Sequence, residues 1–283
     1  MFLIKELNFT ENSTELSTFT HRILSNNTAN CYVNTERGIS IYDENWNFIK
    51  RITLKNIYDQ LIFGNMFIYE EFIYIANSID VSKNEFSLLK LDFDLNIINY
   101  HYRRDVIEFL MAFDSCDKRI FLLWKLIEGH YQIDVYSWYL RKLYELNTTS
   151  IKSYGGVAVA LGLFANQLYI GCRGYDFDDL SGYFFILLTD INGQFIKTFR
   201  LIQNSQLSYI MNSISFDRFG SILFTLADKL TCLFVISLNV TTCNSCNTCM
   251  EVENSFLFSA KVDQSGRLVT IDPSRQKIQI YGS

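Results

Sequence analysis

A short run of alternating residues closed by a polar turn returns six times along the chain. The clearest copy spans residues 262–281, VDQSGRLVTIDPSRQKIQIY. Here Arg267-Leu268-Val269-Thr270-Ile271 and Lys277-Ile278-Gln279-Ile280-Tyr281 each alternate with the two-residue period of a strand. Between them Asp272-Pro273-Ser274-Arg275-Gln276 is turn chemistry. One such hairpin is marginal in water, so the units must pack against each other to bury their apolar faces.

Aligned on the strand that follows the first turn, the copies begin at Cys31, Phe72, Arg119, Gln167, Ser221 and Arg267. Their spacing averages roughly 47 residues, in the range of a four-stranded repeat. Each copy is preceded by an apolar segment, at 19–24, 66–69, 106–113, 157–164, 209–216 and 255–262. The fourth of these lies in GGVAVALGLF, whose small residues suit strands crowded at an axis. Third strands follow at 38–43, 86–94, 131–138, 183–190, 232–237 and 277–281.

Fourth strands are most telling where they repeat outright. FIKRITL at 48–54 and FIKTFRL at 195–201 each follow a turn of the Asp-x-x-Trp/Gly type, Asp43–Asn47 and Asp190–Gln194. FLIKEL at 2–7 has the same pattern but no partners of its own, whereas the final unit lacks a fourth strand. The N-terminal strand is therefore predicted beside residues 277–281, where it removes two open edges at once. The predicted fold is all-β, a six-bladed β-propeller closed by that pairing. It is one domain, 1–283, with blades near 16–60, 61–104, 105–150, 151–205, 206–250, and 251–283 completed by 1–9.

The order Asp, turn, strand, turn, Arg/Lys-Ile-x-Ile/Val resembles the NHL-repeat family of six-bladed propellers. The resemblance is clearest at 262–281 and fair at 30–54 and 214–236; the second and third units lack the Gly turn. It implies a binding scaffold built from rigid blades that carry variable loops. It also implies two alternatives: a metal-dependent lactonase- or lyase-like propeller enzyme with ligands at its axis, and an RNA-binding module.

Composition orders these readings. Apolar residues are 49% of the chain, enough to exclude disorder. A net charge of −5 argues against phosphate-backbone binding, so a nucleic-acid partner is not expected. Lys5 and Glu6 interrupt the apolar start, and no apolar run reaches the length of a membrane span. The seven cysteines are odd in number and mostly fall in strand-like segments, which suits free thiols in a reducing cytoplasm.

Catalytic signatures are missing from the sequence: no nucleophile elbow, phosphate loop or dinucleotide fingerprint occurs. His21, His101 and His130 fall on different kinds of segment. Neither a catalytic residue nor a cofactor is expected. Cys243, Cys246 and Cys249 are the one dense thiol cluster; three thiolates could hold zinc, but a structural site needs a fourth ligand. The acidic loop with Asp176, Asp178 and Asp179 offers oxygen ligands without the spacing of a Ca²⁺ loop. The leading expectation is a non-catalytic scaffold that takes a protein or peptide through its central funnel or its loop face. That face comprises the loops between second and third strands, with Glu36, Arg37, Asp80, Lys83, His130, Arg173, Tyr175, Asp176, Asp228 and Arg275. Mixed charge and aromatic side chains suit protein recognition.

Overall fold

The computed structural model describes residues 2–8, 23–25, 31–35, 38–53, 62–80, 84–94, 96–146, 148, 156–176, 181–204, 210–216, 222–227, 232–237, 246–251, 259–262, 267–272 and 277–282. Among them every regular element is a β-strand. The chain opens with β1 (Phe2–Asn8). It continues through β2 (Ile23–Ser25), β3 (Cys31–Thr35), β4 (Gly38–Tyr42) and β5 (Phe48–Thr53). Next come β6 (Ile62–Tyr69), β7 (Phe72–Asp80), β8 (Glu85–Leu91) and β9 (Ile97–Arg103). A third set is β10 (Val106–Asp114), β11 (Arg119–Leu126), β12 (Tyr131–Ser137) and β13 (Lys142–Leu146). A fourth is β14 (Val157–Phe164), β15 (Gln167–Asp176), β16 (Ser181–Asp190) and β17 (Phe195–Asn204). Then follow β18 (Ile210–Phe216), β19 (Ile222–Ala227), β20 (Cys232–Ser237) and β21 (Cys246–Glu251). The last are β22 (Ser259–Val262), β23 (Leu268–Asp272) and β24 (Lys277–Gly282).

Five of these sets form antiparallel four-stranded meanders in chain order, and the sixth sheet runs β22-β23-β24-β1. The expected pairing of the two chain ends is thus present: Lys5 lies opposite Ile280 and Leu7 opposite Ile278. Glu6 fastens it, accepting from Lys277 Nζ at 2.6 Å and from Gln279 Nε2 at 3.1 Å. The chain divides into two compact units, Thr18–Ser153 and Met1–Ser17 with Tyr154–Ser283.

In the first unit β2 lies against β6 and β6 against β10. One core cluster of this unit is rich in aromatics, with Tyr74, Trp124 and Tyr136 buried beside Leu88, Ile120 and Leu122. In the second unit β14 packs on β18 and β18 on β22. A Cβ at Gly162 of β14 would stand 2.7 Å from the Phe216 ring of β18, so the close approach of the two strands requires glycine there. Phe216 itself is stacked on Phe164 at 5.3 Å and meets Tyr169 edge-on at 4.8 Å.

Among the described residues the turn between third and fourth strands is one device used four times. At Asp43, Asp92 and Asp190 the carboxylate Oδ1 accepts the backbone N–H groups two and four residues on, at 2.8–2.9 Å. Ser137 does the same duty with one oxygen, accepting Arg141 N–H at 3.3 Å. The residue before the turn's end is left-handed at Trp46 (φ 61°), Leu140 (φ 62°) and Gly193 (φ 82°). Such a backbone suits glycine, and the buried Trp46 and Leu140 adopt it because the core holds their side chains.

Near its start, each of five outer strands bulges. The register skips Ile4 in β1, Ile49 in β5, Ile98 in β9, Leu143 in β13 and Ile196 in β17. A bulge re-aims side chains and blunts an edge strand against stray pairing. These five aliphatic residues are 42–51% exposed.

Candidate functional site

Three third strands share the pattern Ile, polar, Ile/Val, Tyr: Ile39–Tyr42, Ile133–Tyr136 and Ile278–Tyr281. Residues two apart on a strand share a face, so each tyrosine hydroxyl reaches back to the polar residue. Tyr281 donates to Gln279 Oε1 at 3.1 Å, Tyr136 lies 3.4 Å from Asp134 Oδ2, and Tyr42 bonds to Ser40. The outer strand supplies the polar residue's second partner. Arg51 Nε donates to Ser40, Glu6 accepts from Gln279, and Lys142 Nζ sits 2.7 Å from Asp134 Oδ1.

Only in the β10–β13 sheet is that polar residue a carboxylate, and there the network spreads into the neighbouring β6–β9 sheet. Asp134 is 1% exposed. Arg103 of β9 pairs with its Oδ2 at 2.7 Å and also donates to Gln132 Oε1 at 2.8 Å. Trp124 Nε1–H donates to the same Oδ2 at 3.1 Å, beneath the Arg103 guanidinium. Gln132 Nε2 bridges Asp134 Oδ1 and Glu145. Two residues from Arg103 on the same strand, His101 Nε2 stands 2.9 Å from the Tyr136 hydroxyl.

Further along this seam, buried Lys90 of β8 is boxed by rings. Its Nζ lies 3.8 Å from the Phe72 centroid, 5.0 Å from Tyr139 and 5.2 Å from Trp138. Cation–π attraction replaces part of the water the ammonium loses. Burial lowers the Lys90 pKa, with the Glu70 carboxylate opposing.

The chemistry of the seam is that of satisfied groups. Burial, then the Asp134 charge, raises the Tyr136 hydroxyl pKa above its ordinary value, so it remains protonated. Burial lowers the His101 pKa and favours the neutral ring; Asp134 pulls the other way, while Arg103 and Lys142 add to the depression. A buried carboxylate shared by two cations and an indole has its lone pairs occupied. This arrangement fastens two sheets together and leaves no group activated as a nucleophile.

The residues singled out from the sequence fall as follows. Asp80 ends β7 opposite Glu85, and His130 immediately precedes β12, 3.5 Å from Glu128. Arg173 is exposed on β15; Tyr175 and Asp176 pair with Gly182 and Ser181 near the end of the same hairpin. All five thus belong to hairpins between second and third strands. Glu36, Arg37, Lys83, Asp228, Arg275 and Cys243 lie outside the described residues, as do Asp178 and Asp179. Cys246 and Cys249 sit in β21, the outer strand of its sheet, opposite Ser237 and Phe234. Among the described residues no three His, Cys, Asp or Glu side chains gather as a metal site. Cys172 is fully buried, which pushes its thiol up to about 12 and makes it inert.

Sequence reading missed Asp134, Arg103 and Lys90, and it named His101 without its partner Tyr136. One signal was available: a charge at the second place of Ile-Asp-Val-Tyr, where the related strands carry Ser40 and Gln279.

No family model and no curated protein matches the sequence. Solved structures do resemble the fold. The WD40 beta propeller domain of Doa1 matches with a TM-score of 0.57 at 8% identity, covering 94% of this chain and 93% of that one. Streptogramin B lyase matches at 0.54 and 12%, covering 98% and 96%. The Dos1 propeller matches at 0.50 and 10%, covering 99% and 75%. At such identities the likeness is one of fold: the chain is a β-propeller.

Proposed function

We propose that this chain is a non-catalytic scaffold for a protein or peptide partner, built as six blades of the NHL-repeat kind in a ring that β1 closes. The observation that carries the reading is the exposed aliphatic residue at the outer-strand bulge of five sheets. Beside each stands a second exposed apolar residue, Leu3, Phe48, Ile97, Tyr144 or Phe195, so every one of these outer strands offers a small contiguous apolar patch to a partner. The hairpins between second and third strands supply the polar surface, with His130, Arg173, Tyr175 and Asp176 as proposed contacts. WD40 propellers are among the structures the fold resembles, which agrees with a scaffold.

Chemical crosslinking of the tagged protein in its native extract tests this, with two variant sets. Arg173→Ala with Tyr175→Ala alters the hairpins; Ile49→Ser with Ile98→Ser alters the bulges. Loss of crosslinked partners in either set supports the reading and assigns the surface. Retention of all partners by both sets refutes it.

The likeness to streptogramin B lyase supports a second reading, a metal-dependent propeller enzyme. Stoichiometric metal in purified protein, unaffected by Cys243→Ser, Cys246→Ser and Cys249→Ser, would favour that reading over the scaffold. Metal lost with those substitutions would instead mark the thiol cluster as a zinc site.

A further inference from the structure

We propose that the seam between the β6–β9 and β10–β13 sheets is a proton-operated latch, worked by His101 through the Tyr136 hydroxyl. The hydroxyl has one proton and two neighbours that can accept it: His101 Nε2 at 2.9 Å and Asp134 Oδ2 at 3.4 Å. With the ring neutral and its proton on Nδ1, Nε2 accepts, and Tyr136 donates across the seam to β9. When His101 takes a proton from solvent, Nε2–H becomes a donor to the Tyr136 oxygen. The tyrosine proton must then turn to Asp134. The same atoms stay in place, but the bonds reverse direction.

Reversal is unfavourable here because of what surrounds the ring. Arg103 stands on its own strand, Lys142 on β13, and both already pair with Asp134. Opposing them, Asp134 of β12 is buried and already shared, and Glu145 of β13 is held by Gln132 and Lys142. A third cation thus meets a carboxylate that already pairs with two, beside a ring that is itself half-buried. Half-burial lowers the folded pKa of His101 below its free value of about 6.5. As pH falls, the open seam takes up the proton first, so closure is favoured above that value and weakens as pH drops through it.

The test is backbone hydrogen exchange of the full chain, corrected for intrinsic rates, at pH 7.5 and 5.5. In wild type, opening of β9 and β12 should rise several-fold on acidification, by about tenfold for each pH unit separating open and closed pKa values. His101→Gln keeps a hydrogen-bonding group opposite Tyr136 and should abolish the rise; His130→Gln, beside Glu128, should keep it. Equal acid dependence in wild type and His101→Gln overturns the proposal. Imidazole ¹⁵N shifts of wild type provide a reading that needs no variant. The Nδ1–H tautomer at pH 7.5, titrating together with the Tyr136 ring, supports the latch; the Nε2–H tautomer overturns it.

Discussion

Asp134 shows what one buried charge does in a sheet of apolar neighbours. Its carboxylate holds Arg103, Lys142, Trp124 and Gln132 at once. Asp134→Ala removes the shared acceptor, strips Arg103 of its carboxylate and leaves Lys142 only the more exposed Glu145. Arg103 and Lys142 keep 20% and 40% of their side chains in water, which moderates the loss. Destabilisation of about 3 kcal/mol is expected from urea unfolding, against less than about 1 kcal/mol for removal of an exposed ion pair such as Lys118–Glu70. A cost for Asp134→Ala no larger than that would show the network to be dispensable.

At the scale of elements, the hairpin from third to fourth strand is the recurring part. An Asp or Ser ties the turn, a left-handed residue closes it, and a bulged aliphatic begins the outer strand. The bulge explains why two successive apolar residues, Phe48-Ile49 or Phe195-Ile196, both stay exposed where simple alternation would bury one. The most exposed element by sequence distance is β1, which joins β24 across almost the whole chain. Deleting residues 1–8 should lower the melting temperature and promote self-association by opening the β24 edge. Adding a synthetic FLIKELN peptide should reverse both, by differential scanning calorimetry and sedimentation velocity. No response to deletion would mean that the pairing contributes nothing. Much of this scale was legible beforehand: the Asp turns, the repeated FIK segments and the N-terminal copy all stand in the sequence. The bulges were not, because a one-residue skip leaves no mark in an alternation pattern.

For the whole molecule, the likeness to β-propellers extends over nearly the full chain. A single compact body of 283 residues has a radius of gyration of about 19 Å. Small-angle X-ray scattering should return that value. A markedly larger one would mean that the two units stand apart as separate bodies.

From the residues alone came the first three strands of every sheet, three of the six outer strands and the pairing of the chain ends. Each of these follows from local alternation, turn residues and the need to cover open edges. Tertiary packing alone decided that His101 would meet Tyr136, that Arg103 would share Asp134 with Lys142, and that Phe72, Trp138 and Tyr139 would enclose Lys90. Alternation tells which face of a sheet a side chain occupies. What lies opposite that face depends on how two separately formed sheets pack, and no pattern within either one encodes it.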